Sequence, residues 1–262
     1  MSELLLMTLG GVFAGLFGSI LGLGGGVLII PMLTLLFGIP MREAVGVSLV
    51  CVIATSSGAA SLYVKKGLSD VRLGMTLELA TTVGAIVGGV VAGLLNQRVL
   101  LILFAVLLMY TAWSMSRKAE APADQENTNH EQGAGAYTHL PLGMGASFFA
   151  GNVSGLLGVG GGIIKVPAMY LLMRVPLKTA LATSNFMIGV TASAGAFIYF
   201  SRGEVHPLVA GSTMLGVFLG ATGGSRLLPK IRTILLKRIF VLVLAYLSIE
   251  MLFKGLGIRL PF

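Results

Sequence analysis

A lysine set inside an apolar run is the residue of this 262-residue chain that most directly demands a chemical explanation. Lys165 lies in Gly158-Val-Gly-Gly-Gly-Ile-Ile-Lys-Val-Pro167, three residues past a cluster of glycines. An ammonium inside an apolar segment is expensive, and such residues are functional candidates by default. It also falls in the first turn after the glycines, where a helix dipole opposes positive charge. A bound anion would relieve both costs. Two structural alternatives stand beside that reading: Lys165 snorkels to an aqueous rim, or it pairs with a distant carboxylate.

Hydroxyls and an amide come next. Ser48 and Thr55 are seven residues apart, and so are Ser184 and Thr191. That spacing puts each pair on one face of a helix. Thr183 and Asn185 flank Ser184, and the Asn185 amide can donate to an oxyanion. Such groups around a lysine predict a polar anion pocket, although Ser and Thr also bond back to their own helix or to a neighbour. Glu78 lies about two turns into its apolar run and is a candidate for carrying a coupling proton, or equally for snorkelling or pairing with a basic residue. Glu250 has Lys254 four residues on, the spacing of a helical ion pair.

Other chemistries lack their parts. His130 and His139 fall in a polar stretch and His206 in a loop, so no metal-ligand cluster is visible and no metal or other cofactor is expected. Gly151-Asn-Val-Ser-Gly155 would need a histidine base beside its serine to act as an intramembrane nucleophile, and no apolar run contains one. Cys51 is the single cysteine, so no intrachain disulfide can form and the redox compartment is not legible. An enzyme is therefore the weak rival class, and a passive anion channel the stronger one.

The elements that must position these residues follow from composition. Hydrophobic residues make up 55% of the chain, charged residues 11%, and the mean hydropathy is +0.93. Soluble domains carry roughly 25% charged residues. The chain is an all-α integral membrane protein, with room for eight to ten segments at ~20 residues each. A net charge of +8 without a strong basic patch points to membrane topology and excludes nucleic acid as a partner. Met1-Ser2-Glu3 lacks the basic start of a signal peptide and is read as part of the first span.

Apolar runs cover 4–37, 43–64, 71–95, 98–116, 140–173, 177–200, 207–228 and 234–254, with a polar linker at 117–139. The chain then repeats itself. Residues 14–67 laid on 150–203, at an offset of 136, give 18 identities in 54 positions. They include Gly22/Gly158, Pro31/Pro167, Pro40/Pro176, Ser48/Ser184, Thr55/Thr191 and Tyr63/Tyr199, and echoes continue at Gly84/Gly220 and Gly88/Gly224. Lys165 departs from the repeat, its counterpart being Ile29. The expected organisation is a first membrane repeat at 1–116, the linker at 117–139 and a second repeat at 140–262.

Both 34-residue runs are interrupted by glycines: Gly22, Gly24, Gly25 and Gly26 in one, Gly158, Gly160, Gly161 and Gly162 in the other. Each glycine costs a helix about 1 kcal/mol, so the helices should break there. Close packing through small residues is the structural alternative. Glycine-interrupted segments at matching places in two halves usually mark a transporter's binding site, with free backbone N–H groups offered to an anion. Loop charges favour segments that enter and return. In that arrangement twelve basic residues share one side and five the other, with both termini outside. The halves are then inverted repeats, each a glycine-broken re-entrant or discontinuous segment plus three spanning helices.

Gly22-Leu-Gly-Gly-Gly-Val-Leu-Ile-Ile-Pro31, with Pro40 and the Ala44–Ser48 stretch, resembles the first repeat of the TauE/SafE sulfite exporter family. Gly158-Val-Gly-Gly-Gly-Ile-Ile-Lys-Val-Pro167, with Pro176 and Ala182-Thr-Ser-Asn185, resembles the second. The resemblance implies a bacterial-type, multi-pass inner-membrane carrier for small sulfur-containing anions such as sulfite, sulfoacetate or related organosulfonates. It also implies proton-motive force as the driver. The expected partners are a small anionic substrate and membrane lipids. Alternating access would rock the two halves about the shared site, with Pro31 and Pro167 shaping the half-helices.

Overall fold

The computed structural model describes residues 2–117, 140–227 and 233–257, and every regular element among them is helical. Apart from Arg117, the linker at 117–139 lies outside the described residues. In chain order the helices are α1 (Ser2–Leu21), α2 (Gly26–Pro31), α3 (Met41–Lys65), α4 (Val71–Leu94), α5 (Gln97–Arg117), α6 (Leu140–Leu157), α7 (Gly162–Pro167), α8 (Leu177–Ser201), α9 (Pro207–Leu227) and α10 (Thr233–Leu256). The order α1–α5 recurs in α6–α10. Seven of these helices (α1, α3, α4, α5, α6, α8 and α9) are long and apolar enough to cross a membrane. Leu5, Phe13, Leu79, Phe149, Phe197 and Leu215 are exposed, an apolar surface that suits lipid and not water.

The two long apolar runs break where the glycines predict. Gly22, Gly24 and Gly25 have φ of 67°, 76° and 77°, and Gly158, Gly160 and Gly161 have 71°, 76° and 73°. These are left-handed conformations that glycine reaches without steric cost. After each break the chain folds back on the helix it has just left. Gly25 lies against Ala14 and Gly18, and the Met32 side chain reaches Gly10. Likewise Gly161 lies against Ala150 and Ser154, and Met173 reaches Gly143. Each broken segment thus runs back along the helix that precedes it. Pro31 and Pro167 end α2 and α7, and each is followed by a five-residue π-helical run, Met32–Leu36 and Ala168–Leu172. A proline lacks the N–H and crowds the carbonyl four residues back, and the wider π register is a known way to accommodate such a defect.

Packing does not follow the order of the chain. α1 packs along α9, and α9 also lies on α3; α4 packs along α6 and lies on α8. The third long helix of each half, α4 or α9, thus docks on the other half. Glycines four apart make these seams close. A Cβ at Gly216 or Gly220 would strike the Thr8 or Val12 carbonyl of α1, and one at Gly11 or Gly15 would strike Thr213 or Val217 of α9. Gly84 and Gly88 of α4 stand the same way against Phe148 and Asn152, and Gly151 and Gly155 of α6 against Thr81 and Ala85. This is small-residue packing of membrane helices. It joins α1 to α9 and α4 to α6. With their neighbours these pairs make two groups, or lobes, α1, α2, α3 and α9 in one and α4, α6, α7 and α8 in the other, with α3 and α8 packed closely on each other.

The lobes meet along α3 and α8, which run antiparallel: Gly46 lies against Tyr199 and Glu204, Leu49 against Gly195 and Ser56 against Gly189. At one end of the molecule Arg42 donates to the Leu95 carbonyl at 2.6 Å, Arg202 donates to the Gly89 carbonyl at 2.8 Å, and His206 Nε2 lies 2.9 Å from Glu43. At the other end the Asp70 N–H donates to Thr183 Oγ1 at 2.9 Å, and the Asp70 carboxylate caps α4 through the Leu73 N–H. One expectation fails. Glu250 does not pair with Lys254: it accepts from the Tyr246 hydroxyl at 2.6 Å, one turn earlier. Lys254 donates instead to the Thr34 carbonyl, in the π-helical run after α2.

Candidate functional site

Each glycine break is held by a serine from the opposite half. Ser48 of α3 donates to the Gly158 carbonyl at 2.8 Å, and Ser184 of α8 donates to the Gly22 carbonyl at 3.0 Å. The breaks also touch directly: a Cβ at Gly26 would meet the Gly158 carbonyl, and one at Gly162 the Gly22 carbonyl. Thr55 donates to the Gly24 carbonyl at 3.0 Å, with Cys51 O as a second acceptor at 3.1 Å. Backbone groups freed by left-handed glycines are buried here, and buried polar groups need partners. The hydroxyls supply them.

Thr191 occupies the position equivalent to Thr55 and does something else. Its hydroxyl donates to Glu78 Oε1 at 2.5 Å and accepts from the Lys165 ammonium at 2.6 Å. Lys165 Nζ lies 3.2 Å from Glu78 Oε2, and Thr81 Oγ1 is 3.3 Å from the same oxygen. Lys165 is 1% exposed and Glu78 4%. Of the readings open to Lys165, the carboxylate partner is the one formed, and snorkelling is ruled out by burial. A pair this deep is held by its mutual attraction and its extra hydrogen bonds against a large desolvation cost.

Asn185 is fully buried, and its amide already donates to the carbonyls of Ser19 and Leu181, both at 3.0 Å. Its Oδ1 has no hydrogen-bond partner among the described residues. Thr183 accepts from the Asp70 N–H and stands near the end of α8, away from the lysine. The predicted residues thus form two groups. Lys165, Glu78 and Thr191 form a charged cluster inside the α4–α6–α7–α8 lobe. Ser48, Ser184 and the glycines form the seam between the lobes, and Thr55 holds the Gly24 break from within its own lobe. Among the described residues no group of three or more metal-ligating side chains occurs.

Sequence reasoning missed Thr81, and it missed the work of the paired tyrosines. Tyr63 donates to the Ser19 carbonyl at 3.1 Å and Tyr199 to the Leu156 carbonyl at 3.2 Å, each fastening the end of a helix that leads into a break. A signal for the ion pair was available. Lys165 replaces Ile29 of the first half, and at the same offset Glu78 stands where the second half has Met214. Two apolar positions turned into opposite charges, once each, point to a pair.

Glycine-broken segments at matching places among seven helices long and apolar enough to cross a membrane are the pattern of membrane transport proteins. The model of the family described as "Sulfite exporter TauE/SafE" matches residues 7–251, and the chain belongs to that family of membrane transporters. It is similar to the probable membrane transporter protein YunE of Bacillus subtilis, 29% identical over 272 residues that cover 98% of this chain and 99% of the relative. A probable membrane transporter protein of Xylella fastidiosa is 28% identical over 96% of each chain. One of Haemophilus influenzae is 27% identical over 96% of this chain and 98% of its own. No solved structure matches the chain.

Proposed function

We propose that the protein is a secondary transporter for small sulfur-containing anions, such as sulfite, sulfoacetate or related organosulfonates, working across the inner membrane by alternating access. The observation that carries the reading is the Lys165 ammonium, buried on a re-entrant element and held by two side chains, Glu78 and Thr191. Fixed cations inside membranes mark substrate pathways, and an oxyanion offers several acceptors to such a donor set. Residues 1–116 and 140–262 serve as inverted repeats. The antiparallel course of α3 and α8 supports this, as does the excess of basic residues on the side holding the α3–α4 and α8-proximal ends.

The lobes that move are composite: α1, α2, α3 and α9 against α4, α6, α7 and α8. Parting them along α3 and α8 would release Ser48 from Gly158 and Ser184 from Gly22. It would also open the backbone at Gly24–Gly26 and Gly160–Gly162 to an anion arriving beside Lys165. The hydroxyls that close the empty carrier are then the donors that receive its substrate. Full burial of the lysine behind a sealed seam supports a carrier over a passive channel.

The test is a thermal-shift panel in detergent with sulfite, thiosulfate, sulfate, sulfoacetate and chloride, followed by uptake into proteoliposomes. Stabilisation by a sulfur oxyanion and not by chloride is expected, with Lys165→Met abolishing uptake. Insensitivity to every anion, or unchanged uptake by Lys165→Met, would refute the proposal.

A further inference from the structure

Among the described residues, Lys165 and Glu78 form the ion pair in which both side chains are buried; the others are partly exposed. Hydrogen bonds close the pair into a ring. Lys165 donates to Glu78 Oε2 and to Thr191 Oγ1, and Thr191 donates to Glu78 Oε1. The members come from α7, α4 and α8, so the ring lies inside one lobe and is not opened simply by parting the lobes. The carboxylate sets one oxygen on an N–H and the other on an O–H, which is how a sulfonate or sulfite would have to sit on the same two donors.

Charge decides what happens when an anion arrives. Two monoanions beside one ammonium leave a net negative charge in an apolar surround, which is strongly unfavourable. Neutrality returns if a proton from the aqueous side adds to a Glu78 carboxylate oxygen. The neutral acid can donate its proton to Thr81 Oγ1, whose own hydroxyl donates to the Leu77 carbonyl at 2.7 Å, while the incoming anion takes Lys165 and Thr191. Among the described residues no other titratable side chain takes part in this ring. α6 has none, and the remaining ones on the surrounding elements are Arg72 at the start of α4, Lys178, Tyr199 and Ser201-adjacent Arg202 toward the ends of α8, and Tyr170 in the π-helical run after α7.

We infer that the Glu78 carboxylate is an internal stand-in for the substrate, displaced from Lys165 by a monoanion only when it takes up one proton, so that anion and proton cross together one to one. The inference rests on the anion-carrier reading above. It assigns Glu78 the coupling and makes the loaded site electrically equal to the empty one. A carrier built this way crosses the membrane with the same site charge in both states, so the membrane potential neither drives nor opposes the step.

The experiment uses the whole protein and methanesulfonate, a monoanion that does not itself titrate between about pH 5 and 8. Because each anion brings one proton with it, binding to the wild type should weaken as the pH rises, by as much as about tenfold per pH unit. Glu78→Gln should bind with no pH slope, and Glu78→Asp should keep the slope. In proteoliposomes wild-type uptake should carry no current, whereas uptake by Glu78→Gln should carry negative charge inward. Calorimetry in buffers of different ionisation enthalpy counts protons taken up with each anion, and this needs no variant; one is expected for the wild type, and none overturns the inference. Binding that Lys165→Met abolishes, but whose pH slope survives in Glu78→Gln, would overturn the coupling and leave the carrier reading standing. Absence of methanesulfonate binding to the wild type at every pH would remove both.

Discussion

Ser48 and Ser184 hold equivalent places in the two halves, and each hydroxyl closes on the glycine break of the other half, at Gly158 and Gly22. The exchange is reciprocal, so the seam is sealed by the same bond made twice. Removing either hydroxyl leaves a buried carbonyl without its partner. Ser48→Ala and Ser184→Ala should each cost about 1–3 kcal/mol, in similar measure, read as a fall in detergent midpoint temperature. A large effect from one and none from the other would show that the two breaks are not held alike.

The buried pair separates stability from transport. Lys165→Met strands the Glu78 carboxylate in an apolar setting and should destabilise by about 3–5 kcal/mol. The double variant Lys165→Met, Glu78→Gln removes both charges and should recover most of that loss. Uptake should stay abolished in both. Recovery of uptake in the double variant would mean that the lysine is only a structural partner.

Thr55 and Thr191 are twins in sequence with different partners. Thr55→Val removes a donor to the Gly24 carbonyl and should lower stability by about 1–2 kcal/mol while uptake persists. Thr191→Val breaks the ring with Lys165 and Glu78, and should reduce uptake at least tenfold with a stability loss of the same order. Parallel kinetics and melting curves on the two variants decide the matter.

Disulfide trapping tests which helices move together. In a Cys51→Ala background, Gly58→Cys with Ala221→Cys joins α3 to α9, where a Cβ on Gly58 would lie 3.4 Å from that of Ala221. Gly89→Cys with Ile198→Cys joins α4 to α8, also at 3.4 Å. Both distances lie close to those a disulfide needs, and both pairs lie within a lobe, so oxidation should leave uptake intact. Gly46→Cys with Tyr199→Cys bridges the lobes at 3.3 Å, and oxidation should arrest uptake until reductant is added.

Much of this molecule can be read from its sequence, for identifiable reasons. The breaks at Gly22–Gly26 and Gly158–Gly162 were legible because dense glycine in an apolar run has few other uses, and the positive φ values bear that out. Loop charges favour segments that enter and return, and the chain folds back on itself after each break. Lys165 stood out because an ammonium there is costly. The partners did not stand out, since Ser48, Ser184 and Thr55 carry hydroxyls that suit an open pocket and a sealed seam equally well. Which carbonyl a hydroxyl meets depends on the approach of another helix, and local spacing does not encode that. The interlaced packing was half visible. Gly84, Gly88, Gly216 and Gly220 announce a close contact but do not name its partner helix.

That packing sets a timetable for making the protein. The glycine face of α1 is completed at Gly15, and the helix that covers it begins at Pro207. At roughly 5–20 residues per second, the nascent α1 waits on the order of ten to forty seconds with a bare backbone seam against lipid. α4 waits a shorter time for α6. The leading half is thus no free-standing unit, and a ribosome that stops after α5 leaves a fragment with two unmet surfaces for quality control to find.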